Sequence, residues 1–254
     1  MTGKFEGRTA REWIAALRDP DPRARAGAAR ALARLCAAAV DAPFDEVLDA
    51  LKPRLELGRG LEPDRRARDA MFEATKVVAE RRARVLGLRV KRPADLRTMR
   101  GGDLVRHAID RLWDACDIYS DRAALRSVLD LATPGQIAVY AIFWTHAEVS
   151  NGGFHQYFHN ATGILAPEAL DGLRRIGALR FAELLERAMR RFPRGAPPTD
   201  NARRRDDLDS ITDGAFRGLD EAFFELDRHD DLLELVADHV RAHPDEFFEA
   251  ERRG

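Results

Sequence analysis

The sequence predicts an all-α protein. Ala, Leu, Arg and Glu recur at spacings of three and four along nearly the whole chain, the period of an amphipathic helix. Runs of β-branched and aromatic residues alternating with polar ones, which strands require, are missing. Pro and Gly fall in short clusters between the periodic segments, as turn signals do.

The first helical pair is expected between Thr9 and about Ala38. Trp13, Ile14 and Leu17 mark a short helix, which Asp19-Pro20-Asp21-Pro22 stops. Proline suits a first helical turn and aspartate suits a helix N-terminus, so the same four residues start the next helix. Its inner side carries Ala24, Ala28, Ala31, Leu32 and Leu35. A second pair follows: Phe44, Val47, Leu48, Leu51 and Leu55, a turn at Gly58 to Pro63, then Asp64 to about Leu86 with Ala67, Met71, Ala74, Thr75 and Val78 inward. The run from Leu17 through Asp19-Pro20-Asp21-Pro22 to Arg25 and Leu32 resembles a HEAT-type repeat. That resemblance implies an arginine and an aspartate tying one helical pair to the next. Two such units are too few to bury their own faces, so docking on the C-terminal part is expected.

Pro93 to Gly102 is the expected linker, separating a HEAT-like module (1–92) from an all-helical domain (103–254). Helices are expected near 103–118, 121–131, 134–149, 152–159, 166–176 and 178–192, then a loop over Pro193 to Asn201, then helices near 212–227, 229–242 and 244–252.

The net charge of −1 excludes a uniformly basic nucleic-acid binder. It conceals a split: residues 1–100 hold 23 Lys+Arg and 15 Asp+Glu, whereas residues 206–254 hold 5 and 16. Only Lys4, Lys52, Lys76 and Lys91 are lysines, so the arginine clusters reflect codon composition and count little as binding signals. The longest apolar run, Ile137 to Trp144, is eight residues, against the roughly 20 that span a bilayer. Without a signal-type stretch or paired cysteines, the chain is expected in the cytoplasm, with Cys36 and Cys116 as buried reduced thiols.

The segment from Glu148 to Gly163 is the most unusual. Gly152-Gly153 should break a helix; the pair suits either a close approach of backbone to backbone or an Asn151 cap on a helix that begins at the glycines. Phe154, Tyr157 and Phe158 then form its buried face. Ile137, Ala141, Trp144 and Glu148 share a stripe, which turns Glu148 inward in the last turn of a helix, where the dipole disfavours an anion. The expected partners are the N–H groups of Gly152 or Gly153.

Glu148-x-x-Asn151-Gly152-Gly153-Phe154-x-Gln156-Tyr157-Phe158-x-Asn160 resembles the signature of the DNA-mimic-protein-19-like family, an all-helical bacterial family. Thr133-Pro134-Gly135-Gln136, Ile176-Gly177-Ala178, Phe216-x-x-Leu219-Asp220-x-x-Phe223-Phe224 and His243-Pro244-x-x-Phe247 are similar to it as well, over roughly 103–250. The resemblance implies a non-enzymatic protein whose acidic surface stands in for DNA phosphates and occupies a DNA-binding regulator. Asp220, Glu221, Glu225, Asp227, Asp230, Asp231, Glu234 and Asp238 would form that surface, with no cofactor, no direct nucleic-acid contact and no membrane. Carboxylates three and four apart on a helix lie about 5–6 Å from each other, comparable with phosphates. Ordinary solvated helix faces, or pairing with the arginine-rich N-terminal part, are the competing readings of the same residues.

Two other functions are weighed. His155 and His159 are four apart, with His146 and Glu148 upstream, which invites a metal-dependent enzyme. A zinc-hydrolase helix, however, places Glu directly after the first His, and Gln156 stands there. No phosphate loop, dinucleotide fingerprint or nucleophile elbow is present. The helical repeats also suit an immunity or scaffold protein.

Overall fold

A computed structural model describes residues 4–39, 42–55, 62–116, 118–119, 122–212 and 214–249. It is all-α, with thirteen α-helices and one ribbon of two-residue strands among the described residues. The chain divides into two units, Met1–Gly87 and Leu88–Gly254.

The first unit opens with the ribbon, β1 (Lys4–Phe5) antiparallel to β2 (Arg8–Thr9). Thr9 then caps α1 (Ala10–Ala16): its hydroxyl accepts from the Glu12 amide, and the Glu12 carboxylate accepts from the Thr9 amide at 2.6 Å. Asp21 caps α2 (Pro22–Ala38) through the Arg23 amide at 2.9 Å, with Pro22 in the first turn. α2 is alanine-rich on its inner face, where Ala28, Ala29, Leu32 and Cys36 have no exposed surface. Small side chains let α2 lie close against α4 (Arg65–Gly87), which contributes Ala67, Met71 and Val78; α3 (Phe44–Leu51) closes the unit with Val47 and Leu51. Arg25 joins the two pairs. Its guanidinium donates to Asp19 O at 2.7 Å and Pro20 O at 3.0 Å, and to both carboxylate oxygens of Glu62 at 2.8 and 2.6 Å. The partner across the pairs is therefore a glutamate, buried to 1% exposure, whose carboxyl the Arg25 bonds hold below its ordinary range. Most of the turn expected at Gly58 to Pro63 lies outside the described residues.

The second unit begins earlier than the sequence indicates. Residues 93–102, the expected linker, fall within the second unit; half are exposed, but Leu96 is buried and Arg241 donates to Met99 O at 2.7 Å. Val90 pairs with Phe248 in a parallel bridge, and Gly101 starts α5 (Gly101–Ala108) with its backbone so near Glu234 that a Cβ would lie 2.9 Å from that residue's Cα. Gly101 thus serves close helix approach, while Gly102 has ordinary room beside Leu233.

The expected helix 103–118 is two, α5 and α6 (Asp110–Ala115), and α7 spans Arg122–Leu129. α8 (Pro134–His159) runs through the centre, with α9 (Ala166–Arg175), α10 (Leu179–Met189), α11 (Asn201–Asp209), α12 (Arg217–Asp230) and α13 (Leu232–Ala242) around it. Within the expected loop region, α11 starts at Asn201 and continues over residues for which the sequence pattern predicted no helix, because its nine residues carry little apolar periodicity. After α13 only a 3-10 turn, Pro244–Glu246, replaces the described part of the helix expected at 244–252. Among the described residues no helix is long and apolar enough to cross a membrane. Cys36 and Cys116 are buried and unpaired, and burial pushes both thiols up to about 11.

Candidate functional site: the glycine corner and the acidic helices

α8 starts on a complete capping box: Thr133 accepts from the Gln136 amide, and the Gln136 side chain accepts from the Thr133 amide at 3.0 Å. Pro134 takes the first helical position, where its missing N–H costs nothing. The helix continues regularly through Asn151 and breaks at Gly152 (φ −156°, ψ 24°) and Gly153 (φ 73°, ψ −176°). The Gly153 conformation is open essentially to glycine alone. A Cβ there would also sit 2.8 Å from the Asp220 carboxylate, and one on Gly152 would occupy the place of the Gln156 amide.

The cap of the second leg is not Asn151, whose side chain is exposed. Asp220 supplies it from α12, its Oδ1 accepting from the Phe154 amide at 2.8 Å. Phe154, Tyr157 and Phe158 are fully buried, as their spacing predicts.

Glu148 points inward with 7% exposure, but its partners differ from those expected. Oε2 accepts from Gln156 Nε2 and Asn160 Nδ2, both at 2.8 Å, and Oε1 accepts from Thr162 Oγ1 at 3.0 Å. The reason is directional. Side chains on a helix lean toward its N-terminus, so Glu148 reaches away from the glycine amides. The bent second leg brings Gln156, Asn160 and Thr162 back to it. One carboxylate thus ties both sides of the corner with side-chain bonds.

Arg204, from α11, holds the other end and was not singled out by the sequence. Its guanidinium is fully buried; Nε donates to Phe158 O at 2.8 Å, and Nη2 donates to Asn160 O at 2.9 Å and Asn201 Oδ1 at 3.0 Å. Nη1 donates to Pro198 O at 3.0 Å. A cation on the free carbonyls of a helix C-terminus is favourable both as donor and against the dipole. Gly163 must be glycine here, since a Cβ would lie 2.8 Å from both Tyr157 O and Arg204 Nε. In the sequence this residue is one of three in the run Arg203-Arg204-Arg205, with nothing local to set it apart.

The four residues of the metal reading do not converge. His146 Nε2 lies 2.9 Å from Asp227 Oδ2, and Glu148 is saturated by neutral donors. His155 and His159 stack on each other, with centroids 6.3 Å apart. Among the described residues no group of three or more His, Cys, Asp or Glu is placed to hold a metal ion.

The acidic residues have separate duties. Asp227 bridges α8 to the start of α13, with Oδ1 accepting from the Leu232 amide at 2.9 Å. Burial pushes its carboxyl up, but the bonds from His146 and Leu232 outweigh this and hold it below its ordinary value. Burial dominates at Asp220, whose carboxyl is raised despite the Phe154 bond. Asp231, at φ 44°, caps α13 through the Glu234 amide. Asp230 pairs with Arg180 at 3.1 Å, while Glu234 and Asp238 share Arg241 at 2.7 and 2.8 Å. Glu225 bonds Arg228 and His229 on its own helix. Glu221 is exposed with no ion pair among the described residues. Cations of the same unit therefore face much of this surface. The unit boundary also shrinks the charge split: residues 1–87 hold 18 Lys+Arg and 14 Asp+Glu, leaving 24 and 29 beyond.

The second unit is thus an all-α domain organised around a broken central helix, clamped by one buried carboxylate and one buried guanidinium. Residues 130–243, which contain the whole corner and α8 to α13, match the family model described as DMP19-like protein. The match supports the family likeness of the C-terminal part and does not extend to the first unit. No curated protein and no solved structure matches the chain.

Proposed function

We propose that the protein is a non-enzymatic, protein-binding regulator whose C-terminal helices occupy a DNA-binding protein. The observation that carries this reading is the likeness of residues 130–243 to the DMP19-like family, whose resemblance implies phosphate mimicry by carboxylates. Of the eight acidic residues, Asp220 and Asp227 hold the fold, and the proposal assigns binding to those directed outward: Glu221, Glu225, Asp230, Asp231, Glu234 and Asp238. Their bridges to Arg180 and Arg228 are solvent-exposed and each contributes at most about 1 kcal/mol, so a basic partner can exchange them, whereas Arg241 is only 20% exposed and is also held by Met99 O. The HEAT-like reading of the first unit belongs to the same proposal, as a helical scaffold in the same chain.

Capture on the immobilised protein at increasing salt tests it. DNA-binding proteins should be retained at low salt, released steeply as salt rises, and displaced by duplex DNA. Replacing Glu221, Glu225 and Asp238 by glutamine should abolish capture without changing the melting temperature. Capture that is insensitive to salt and to these substitutions would overturn the reading.

A further inference from the structure

Beside the glycine corner lies a cleft of about 360 Å³, within the size range of small-molecule sites. Its apolar floor is Leu208 and Phe216, both nearly inaccessible to solvent. Its walls carry His155 from the second leg of α8, Asp209 from the end of α11, and Arg217 and Asp220 from the first turn of α12. Most charged groups on α12 and α13 are ion-paired within the chain, whereas Arg217 and Asp209 face this cleft without such a pair among the described residues. Asp220 lies three residues from Arg217, yet its Oδ1 is committed to the Phe154 amide and its Oδ2 remains available.

We propose that this cleft binds a basic α-amino acid such as arginine or lysine. Arg217 receives the α-carboxylate, Asp220 Oδ2 the α-ammonium, and Asp209 the distal cation. The spacing supports the first two contacts. Residues three apart on a helix stand about 5–6 Å apart at Cβ, and a ligand with opposite charges on adjacent carbons bridges such a pair. The balance of charge supports the third. Asp209, Arg217 and Asp220 sum to one negative charge, which a basic amino acid complements. Burial raises the Asp220 carboxyl, so this anion is poorly solvated and gains from a cation brought to it. The inference is independent of partner capture, because it concerns a small ligand in a cleft between α8, α11 and α12.

Calorimetric titration of the full chain with L-arginine tests it, with agmatine, which lacks the carboxylate, and L-norleucine, which lacks the distal cation, as comparison ligands. Saturable one-site binding of L-arginine is expected, with both analogues weaker by about tenfold or more, as for the loss of one charge-assisted contact. Arg217→Ala should make arginine and agmatine bind equally, and Asp209→Asn should do the same for arginine and norleucine. Both positions are exposed, so these variants are expected to fold with unchanged melting curves. No saturable heat with L-arginine at millimolar concentration would overturn the proposal, as would an arginine-over-agmatine preference that survives Arg217→Ala.

Discussion

Glu148 shows how much one buried carboxylate can organise. It accepts from three side-chain donors on the far side of a helix break, all within 3.0 Å. Glu148→Ala would leave the buried Thr162 and the half-buried Gln156 and Asn160 without their acceptor, a loss of about 3–5 kcal/mol by analogy with breaking other buried charged networks. For a domain of this size that corresponds to a fall of roughly 8–15 °C in melting temperature by calorimetry. Glu148→Gln, which keeps one acceptor, should lie between. An unchanged melting curve for the alanine variant would remove the clamp. The sequence pointed to Glu148 because it falls on the apolar stripe of its helix, but the identity of its partners depended on where the chain returns after Gly153. Arg204 had no comparable signal: one arginine among three is distinguished only by what it touches.

The α8 helix and the closing segment show the same economy between elements. The Glu246 carboxylate sits at the N-terminus of α8, accepting from the Gly135 amide and from Arg175, each at 2.6 Å. Thr133 Oγ1 donates to Glu246 O at 2.9 Å, so cap and strap share one junction. An anion at that end of a long helix is stabilised by free amides and the dipole together. Glu246→Ala should cost about 2 kcal/mol and speed hydrogen exchange in residues 244–249 and at the Gly135 and Gln136 amides. Unaltered exchange there would show that Phe247 and Phe248, both buried, hold the strap without it. The helical periods of α9, α10, α12 and α13 were legible because each has a strong apolar stripe, and α8 was legible as a long run that is apolar nearly all round. α11 was not, since it is anchored by the Asp200 cap and by Arg204 rather than by a stripe.

Across the molecule, charge acts first on stability, and with two opposite signs. Asp227 has a folded-state carboxyl below its ordinary value of 3.8, so its contribution is complete at neutral pH and is lost as pH falls through the folded value. Asp220 is raised above 3.8, so its ionisation carries a penalty that appears as pH rises through the folded value. Asp227→Asn should therefore be less stable than the parent at pH 7 and converge with it in acid. Asp220→Asn keeps an acceptor for the Phe154 amide, so it should match the parent in acid and equal or exceed it at pH 7. Chemical denaturation across pH checks both, and curves that run parallel at all pH values would refute the assignment. The sequence alone determined the all-α class, the helix break at Gly152-Gly153, the inward Glu148 and the buried aromatic face, because each follows from local period or backbone freedom. Only the tertiary structure decided that Asp220 and Asp227 serve the fold, that residues 88–102 belong to the second unit, and that the acidic helices are met by nearby arginines. Those outcomes depend on contacts between residues far apart in the chain, and a linear count of charge contains no distances.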